Sequence, residues 1–263
     1  MTHRWGRRRD FLQAAGLAIP ALAMTSWPAW AIGTGVQVGF GQLKHAGNWD
    51  PRPEALRRLL WEIRKRTSIE VRRDATFVDM ESDDIFQQPF LVLTGKGPMP
   101  EWSEKARQNV ARHLRFGGFL YVDTPSPDDP FTSSVKREVE IIRKSLKGNQ
   151  EFDSPTFQRV DPQHVLFKSF FLLKRVVGRH TQDTGVVGLD LDKRMVLAMT
   201  QNDLLGALER DRLGNWVYTC EPGGERQREM AIRFGVNLIM YATCLDYKSD
   251  QVHIPFILKK RRR

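Results

Sequence analysis

The clearest alternation of hydrophobic and polar positions lies between Pro89 and Thr124. Phe90-Leu91-Val92-Leu93-Thr94 is a run of large and β-branched residues without charge, the pattern of a strand buried on both faces of a parallel sheet. Gly95-Lys96-Gly97-Pro98 ends it. From Glu101 onward Trp102, Ala106, Val110 and Leu114 recur every fourth residue. Lys105, Arg107, Arg112 and Arg115 fall elsewhere on the wheel, so an amphipathic helix is expected. Gly117 stands where a left-handed C-cap is wanted, and Phe119-Leu120-Tyr121-Val122 reads as a second buried strand closing at Asp123. Two strands joined by one such helix pair in parallel through a right-handed crossover. Ligands on sheets of this kind bind beyond the carboxyl ends of the strands.

The same reading extends in both directions. Val36 to Phe40 is expected as a first strand, and Asp50-Pro51-Arg52-Pro53-Glu54 as the start of a helix that runs to about Arg66 on Leu56, Leu59, Leu60 and Ile63. Ser68 to Val71 gives a short strand, and the polar stretch from Asp79 to Gln88 covers an end of the sheet. Three prolines between Thr124 and Pro130 exclude helix and central strand there. A helix follows from about Thr132 to Leu146. Residues 163 to 177 are aromatic and apolar without a clear period. Val186 to Leu191 and Met195 to Thr200 form a hairpin around Asp192-Lys193-Arg194. Cys220 closes a further strand, and the longest helix, largely buried, spans Glu225 to Leu245. The pattern predicts one α/β domain over residues 32–258. It is a three-layer sandwich whose mainly parallel sheet carries helices on both faces and a hairpin extension.

Charge changes the picture little. Of the net +10, residues 1–31 hold +3 and Lys259-Lys260-Arg261-Arg262-Arg263 hold +5, which leaves +2 for the body. A near-balanced body argues against nucleic acid as a partner, since duplex binding gathers many cations on one surface. The five-cation tail suits weak contact with an anionic membrane surface. At the other end, Arg7-Arg8-Arg9, an apolar run to about Met24, and Ala29-Trp30-Ala31 as a small-x-small cleavage site make residues 1–31 an export signal. Arg8-Arg9-Asp10-Phe11-Leu12 follows the twin-arginine pattern, although Arg7 and Gln13 depart from it; a Sec signal is the alternative. The expected location is the periplasm, where disulfides persist. Cys220 and Cys244 are therefore candidates for a disulfide, with two free buried thiols as the alternative.

Chemistry is harder to find. There is no phosphate-binding loop, no Gly-x-Ser-x-Gly elbow and no His-Glu-x-x-His, and the six histidines lack ligand spacing, so no metal or cofactor is implied. What remains is a set of polar residues at strand exits: Asn48 and Asp50, Gly95 and Gly97, Asp123 and Thr124, Asn202 and Asp203. In a parallel sheet these exits converge on one mouth. Each also has a structural reading, since Asp50 and Asp203 can cap helices, Asn202 can form a turn, and Asp123 can brace its own loop.

Several of these stretches together resemble the bacterial domain-of-unknown-function family 4159. They are Phe40-Gly41-Gln42-Leu43, Gly47-Asn48-Trp49-Asp50-Pro51, the helix from Leu56 to Ile63, Phe90 to Gly95, Gly117 to Asp123, Asn202-Asp203 and Arg226 to Ala231. The likeness runs from about Val36 to Leu258. It implies a class I glutamine amidotransferase-like fold, a flavodoxin-like sandwich. In true amidotransferases a Cys in a glycine-flanked elbow follows the strand after the Gly-Gly turn. Here Asp123-Thr124-Pro125-Ser126 stands there, and neither Cys220 nor Cys244 has flanking glycines, so glutamine hydrolysis is not expected. The expectation is an exported, non-catalytic module that binds a small molecule, glycan or envelope protein at the strand exits. The alternatives are a hydrolase using Asp123 or Asp203 as base, with Asn48 or Asn202 orienting a substrate or a metal-bound water, and a structural envelope protein tethered by its tail.

Overall fold

The computed structural model describes residues 37–146, 155–192 and 194–260, the stretch 244–260 as backbone only. The export signal expected at residues 1–31 and the end of the basic tail lie outside the described residues. Seven strands form one sheet in the order β2-β1-β3-β4-β7-β6-β5. They are β1 (Phe40–Lys44), β2 (Thr76–Asp79), β3 (Phe90–Thr94), β4 (Phe119–Asp123), β5 (Thr156–Arg159), β6 (Val187–Leu191) and β7 (Arg194–Thr200). The first five in that spatial order pair in parallel, and β6 and β5 extend the sheet in antiparallel fashion from β7. The expected hairpin is thus β6-β7, and β7 also serves as the fifth parallel strand. The parallel part has one of the two common doubly wound orders, with its switch point between β1 and β3.

Four helices cover the two faces: α1 (Ala55–Arg66), α2 (Glu104–Arg115), α3 (Pro130–Ser145) and α4 (Gly224–Lys260). Alternation along the strands sorts the core into two layers. Phe90, Val92, Phe119 and Tyr121 pack with α1, α4 and residues 204–208. Leu91, Leu93, Leu120 and Val122 pack with α2 and α3 on the other face. Each such side chain, removed from water, stabilises the fold by roughly 1.5–3 kcal/mol, and the central strands are apolar on both faces because both faces are covered. The expected three-layer α/β sandwich with a mainly parallel sheet is the observed architecture.

Some elements differ from expectation. The first strand falls at Phe40–Lys44 rather than Val36 to Phe40; upstream of it only Val38 bridges, to Val71. Its polar Gln42 is tolerated in the interior because its amide Nε2 donates to Asp50 Oδ1 at 2.9 Å. Asp50 does not cap α1, whose N-cap is Glu54. α1 begins later, behind Glu54, and the Glu209 carboxylate accepts from the Glu54 N–H at 3.2 Å. The strand expected at Ser68 to Val71 is a single bridge, and β2 lies at Thr76–Asp79. No strand closes at Cys220 among the described residues; residues 211–220 form a loop anchored on α4. Cys220 is a free, buried thiol rather than half of a disulfide. It lies just before the first turn of α4, while Cys244 is twenty residues into that helix, about 30 Å along its axis at 1.5 Å per residue, and a disulfide needs Cα atoms within about 7 Å.

Candidate functional site

The carboxyl ends of β1, β3, β4 and β7 lie together, as a parallel sheet requires. Asp123 closes β4 in register with Thr94 of β3 and Thr200 of β7. Its carboxylate is sealed, 2% exposed. Oδ1 accepts from Thr200 Oγ1 at 3.0 Å, from Tyr121 OH at 3.3 Å and from the Leu204 N–H at 3.0 Å, and Oδ2 accepts from the Leu205 N–H at 2.7 Å. Burial, and then the nearby charge of Asp203, push its pKa up to about 7, against the pull of the two amides. Tyr121 OH and Thr200 Oγ1 also lie 2.7 Å apart, and with one proton on each hydroxyl two of these three contacts are made at a time, either hydroxyl being able to donate to the other. When Asp123 takes a proton, that pair can reverse and accept from it, so both protonation states keep partners.

Asp203 lies three residues beyond the end of β7. Its backbone adopts φ +53°, a left-handed conformation that Asp and Asn tolerate best among residues with a side chain. Its N–H donates to Thr124 O at 2.9 Å, tying the β4 exit to the β7 exit. Its carboxylate takes Arg52 through both oxygens, Nε to Oδ1 at 3.2 Å and Nη2 to Oδ2 at 2.7 Å. Oδ2 also accepts from Arg179 Nε at 2.7 Å, and Oδ1 from the Gly206 N–H at 3.0 Å. The Arg52 Nη1 donates to Pro51 O and to Tyr218 OH. The Arg52 and Arg179 guanidinium carbons stand 4.4 and 5.1 Å from the Tyr218 ring centroid. One carboxylate thus gathers two guanidinium groups over one phenol ring, and its acceptor capacity is spent inside the protein.

The other predicted residues divide. Asn202 is wholly buried; its amide donates to Asp183 O and accepts from the Asp183 N–H at 2.9 Å, so it clamps the 176–183 loop and does not face the mouth. Across the switch point, Asn48 O accepts from the Lys96 N–H at 3.1 Å, which bridges the β1 and β3 exits. His45 Nδ1 accepts from the Gly47 N–H, so Nε2 carries the ring proton and donates to Thr94 O at 3.1 Å. Phe131 stacks on His45 with ring centroids 5.4 Å apart and fills the space beside Gly95, where a Cβ would lie 2.4 Å from its ring. Gly97, at φ +75°, donates to the Asp129 carboxylate. The switch-point crevice is therefore occupied by protein. Thr124 O and Oγ1 serve Asp203 and Thr200. The structure brings Asp123, Thr124 and Asp203 into one buried network and places Asn48, Gly95 and Gly97 in a second, adjoining one.

Sequence reasoning missed Arg52, Arg179 and Tyr218. Arg52 carried a signal: it stands between Pro51 and Pro53, directly after a strand exit, so its backbone is fixed on both sides. Arg179 follows Gly178, where an added Cβ would lie 2.2 Å from Asn202 O, so the glycine allows the loop to lie against the β7 exit.

The chemistry of the site follows from these positions. Burial pushes the Cys220 thiol up, away from the thiolate. Among the described residues no three His, Cys, Asp or Glu side chains are placed to hold a metal ion. Two hollows elsewhere, about 490 Å³ between α2 and α3 and about 410 Å³ beside β5 and β6, share no residue with the strand-exit networks. A family model described as "Domain of unknown function (DUF4159)" matches residues 39–243. No curated protein matches the chain.

Proposed function

The chain belongs to the DUF4159 family, a domain of unknown function, and from that premise we propose that it is an exported, non-catalytic α/β module that binds a small molecule at the carboxyl ends of its strands. The observation that carries this reading is the state of the two strand-end carboxylates. Asp123 and Asp203 are 2% and 3% exposed and fully engaged with donors of the protein itself. A general base must come within hydrogen-bond reach of a substrate proton, and these groups instead hold the rim above them rigid. Phe131 fills the β1/β3 switch point, so binding is proposed on the β4/β7 side of the rim, still beyond the carboxyl ends of the strands, where ligands of doubly wound sheets sit. The strand order also supports an amidotransferase-like fold that has lost its thiolate, since Asp123-Thr124-Pro125 occupies the elbow position. Export rests on Arg8-Arg9-Asp10-Phe11-Leu12, the apolar run behind it and Ala29-Trp30-Ala31.

The second reading, a carboxylate-dependent hydrolase, is favoured by one observation, the Asp123 pKa of about 7, which suits a proton carrier at neutral pH. Its burial beneath the Leu204 and Leu205 amides argues the other way. Native mass spectrometry of protein purified from its own envelope fraction separates the two. Binding without catalysis predicts a non-covalent adduct whose mass is unchanged after hours of incubation. Conversion of the bound species to a lighter product, or the absence of any adduct, overturns the proposal.

A further inference from the structure

Arg179 differs from its neighbours in the network by having donors to spare. Its backbone is clamped on both sides: the N–H donates to Asp203 O at 3.0 Å, and the carbonyl accepts from the Glu221 N–H at 2.9 Å and from Gln227 Nε2 at 3.0 Å. Its side chain is fixed at Nε by Asp203 and laid over Tyr218. Beyond Nε, both terminal nitrogens lack a partner among the described residues, and the side chain is 27% exposed, against 7% for Arg52. His180, next in sequence and half-buried, likewise has no side-chain hydrogen bond among the described residues. The neighbouring carboxylate that could compete, Glu221, instead accepts from Thr219 Oγ1 at 3.2 Å. A guanidinium held in one orientation, with two parallel N–H directions unspent and a second guanidinium behind it, matches the planar, bidentate geometry of a carboxylate or phosphate.

We propose that Arg179, with His180 beside it, is the contact that receives an oxyanion, a carboxylate or phosphate group of a small molecule, at the strand-exit rim. The inference deepens the binding function proposed above and rests on it. Asp203 and Tyr218 act as positioning residues: they hold the guanidinium in place before any ligand arrives, which lowers the ordering cost of binding.

Calorimetric titration of the full chain with inorganic phosphate and with acetate, at constant ionic strength, tests it. Wild-type protein should bind at least one of these anions. Arg179→Gln should weaken binding by about tenfold to a hundredfold, the loss expected for a charge-assisted pair. Arg179→Lys, which keeps the charge and loses the fork, should fall between them. Arg212→Gln, in an exposed loop, should leave binding unchanged. The Lys variant also provides the comparison if the Gln variant does not fold. Sedimentation with phosphatidylglycerol vesicles separates a lipid headgroup from a soluble ligand as the phosphate source: loss of pelleting in Arg179→Gln but not in Arg212→Gln assigns the headgroup. Equal affinities in wild-type and both Arg179 variants, or no anion binding by any of them, overturns the inference. If the envelope-derived adduct remains bound to Arg179→Gln undiminished, binding at the rim stands and the oxyanion contact falls. If neither adduct nor anion binds, both fall.

Discussion

Asp123 and Arg52 are the residues whose substitution says most about the site. Asp123 is fully buried, and its pKa is raised from an ordinary 3.8 to about 7. Between those values the unfolded chain has lost the proton while the native chain keeps it, so the native state binds more protons and stability falls as pH rises. Below about pH 4 the group costs nothing; above about pH 7 it costs on the order of 4 kcal/mol, from about 1.4 kcal/mol per unit. Denaturant melts of wild-type and Asp123→Asn should therefore differ in slope: the wild-type falls relative to the variant between pH 4 and 8. Parallel curves contradict the burial argument. At Asp203 the two arginines should separate. Arg52→Ala removes the buried half of a bidentate pair and should destabilise by about 3–5 kcal/mol. Arg179→Gln removes a partly exposed bond and should cost only about 1 kcal/mol. Equal losses in these melts would mean that Arg179 is a structural brace like Arg52.

At the scale of elements, the loop 176–183 and the long helix decide how firmly the rim is held. Gly178 has backbone on its far side, with a Cβ meeting Asn202 O at 2.2 Å and Leu204 N at 2.7 Å. Gly178→Ala should push the loop off the β7 exit and cost about 1–3 kcal/mol, with faster amide exchange at Arg179 and His180. Unchanged exchange there sinks this account of the seam. Asn237 of α4 is fully buried and pins the 166–171 segment, donating to Leu166 O and Phe171 O and accepting from the Phe171 N–H. Asn237→Ala leaves the Phe171 N–H and carbonyl without partners, while Leu166 O keeps Ser169 Oγ, and should cost about 2–4 kcal/mol in a denaturant melt, since each unsatisfied buried group costs about 1–3 kcal/mol. The elements legible in the sequence were those with a strong period. β3, α2, β4, α3 and the β6-β7 hairpin stand within a few residues of where periodicity puts them, because their burial is set by local alternation. β1 was misplaced because Gln42 breaks the apolar run, and its partner Asp50 lies beyond the strand. β5 and β2 were missed because they are short edge strands with mostly exposed residues. Arg179 was unreadable for a different reason: its role comes from Asp203 and Tyr218, 24 and 39 residues away, through contacts that no local pattern encodes.

At the scale of the molecule, the sheet serves as a frame whose strand ends meet in two adjoining networks, one closed by Phe131 and one centred on Asp203. No described helix is long and apolar enough to cross a membrane. The proposed export rests on the N-terminal arginines instead. Replacing Arg8 and Arg9 together by Lys should leave the full-length precursor inside fractionated cells; export at the wild-type level would assign the signal to the Sec route instead. The central claim is that the Arg179 side of the strand-exit rim receives the ligand while the buried carboxylates only support it. Hydrogen exchange of the full chain, with and without the small-molecule extract of its own envelope fraction, tests this most directly. The account predicts slowed exchange at residues 178–183 and 203–206, with no change along the groove between α2 and α3. Protection at that groove instead, or none anywhere, contradicts it.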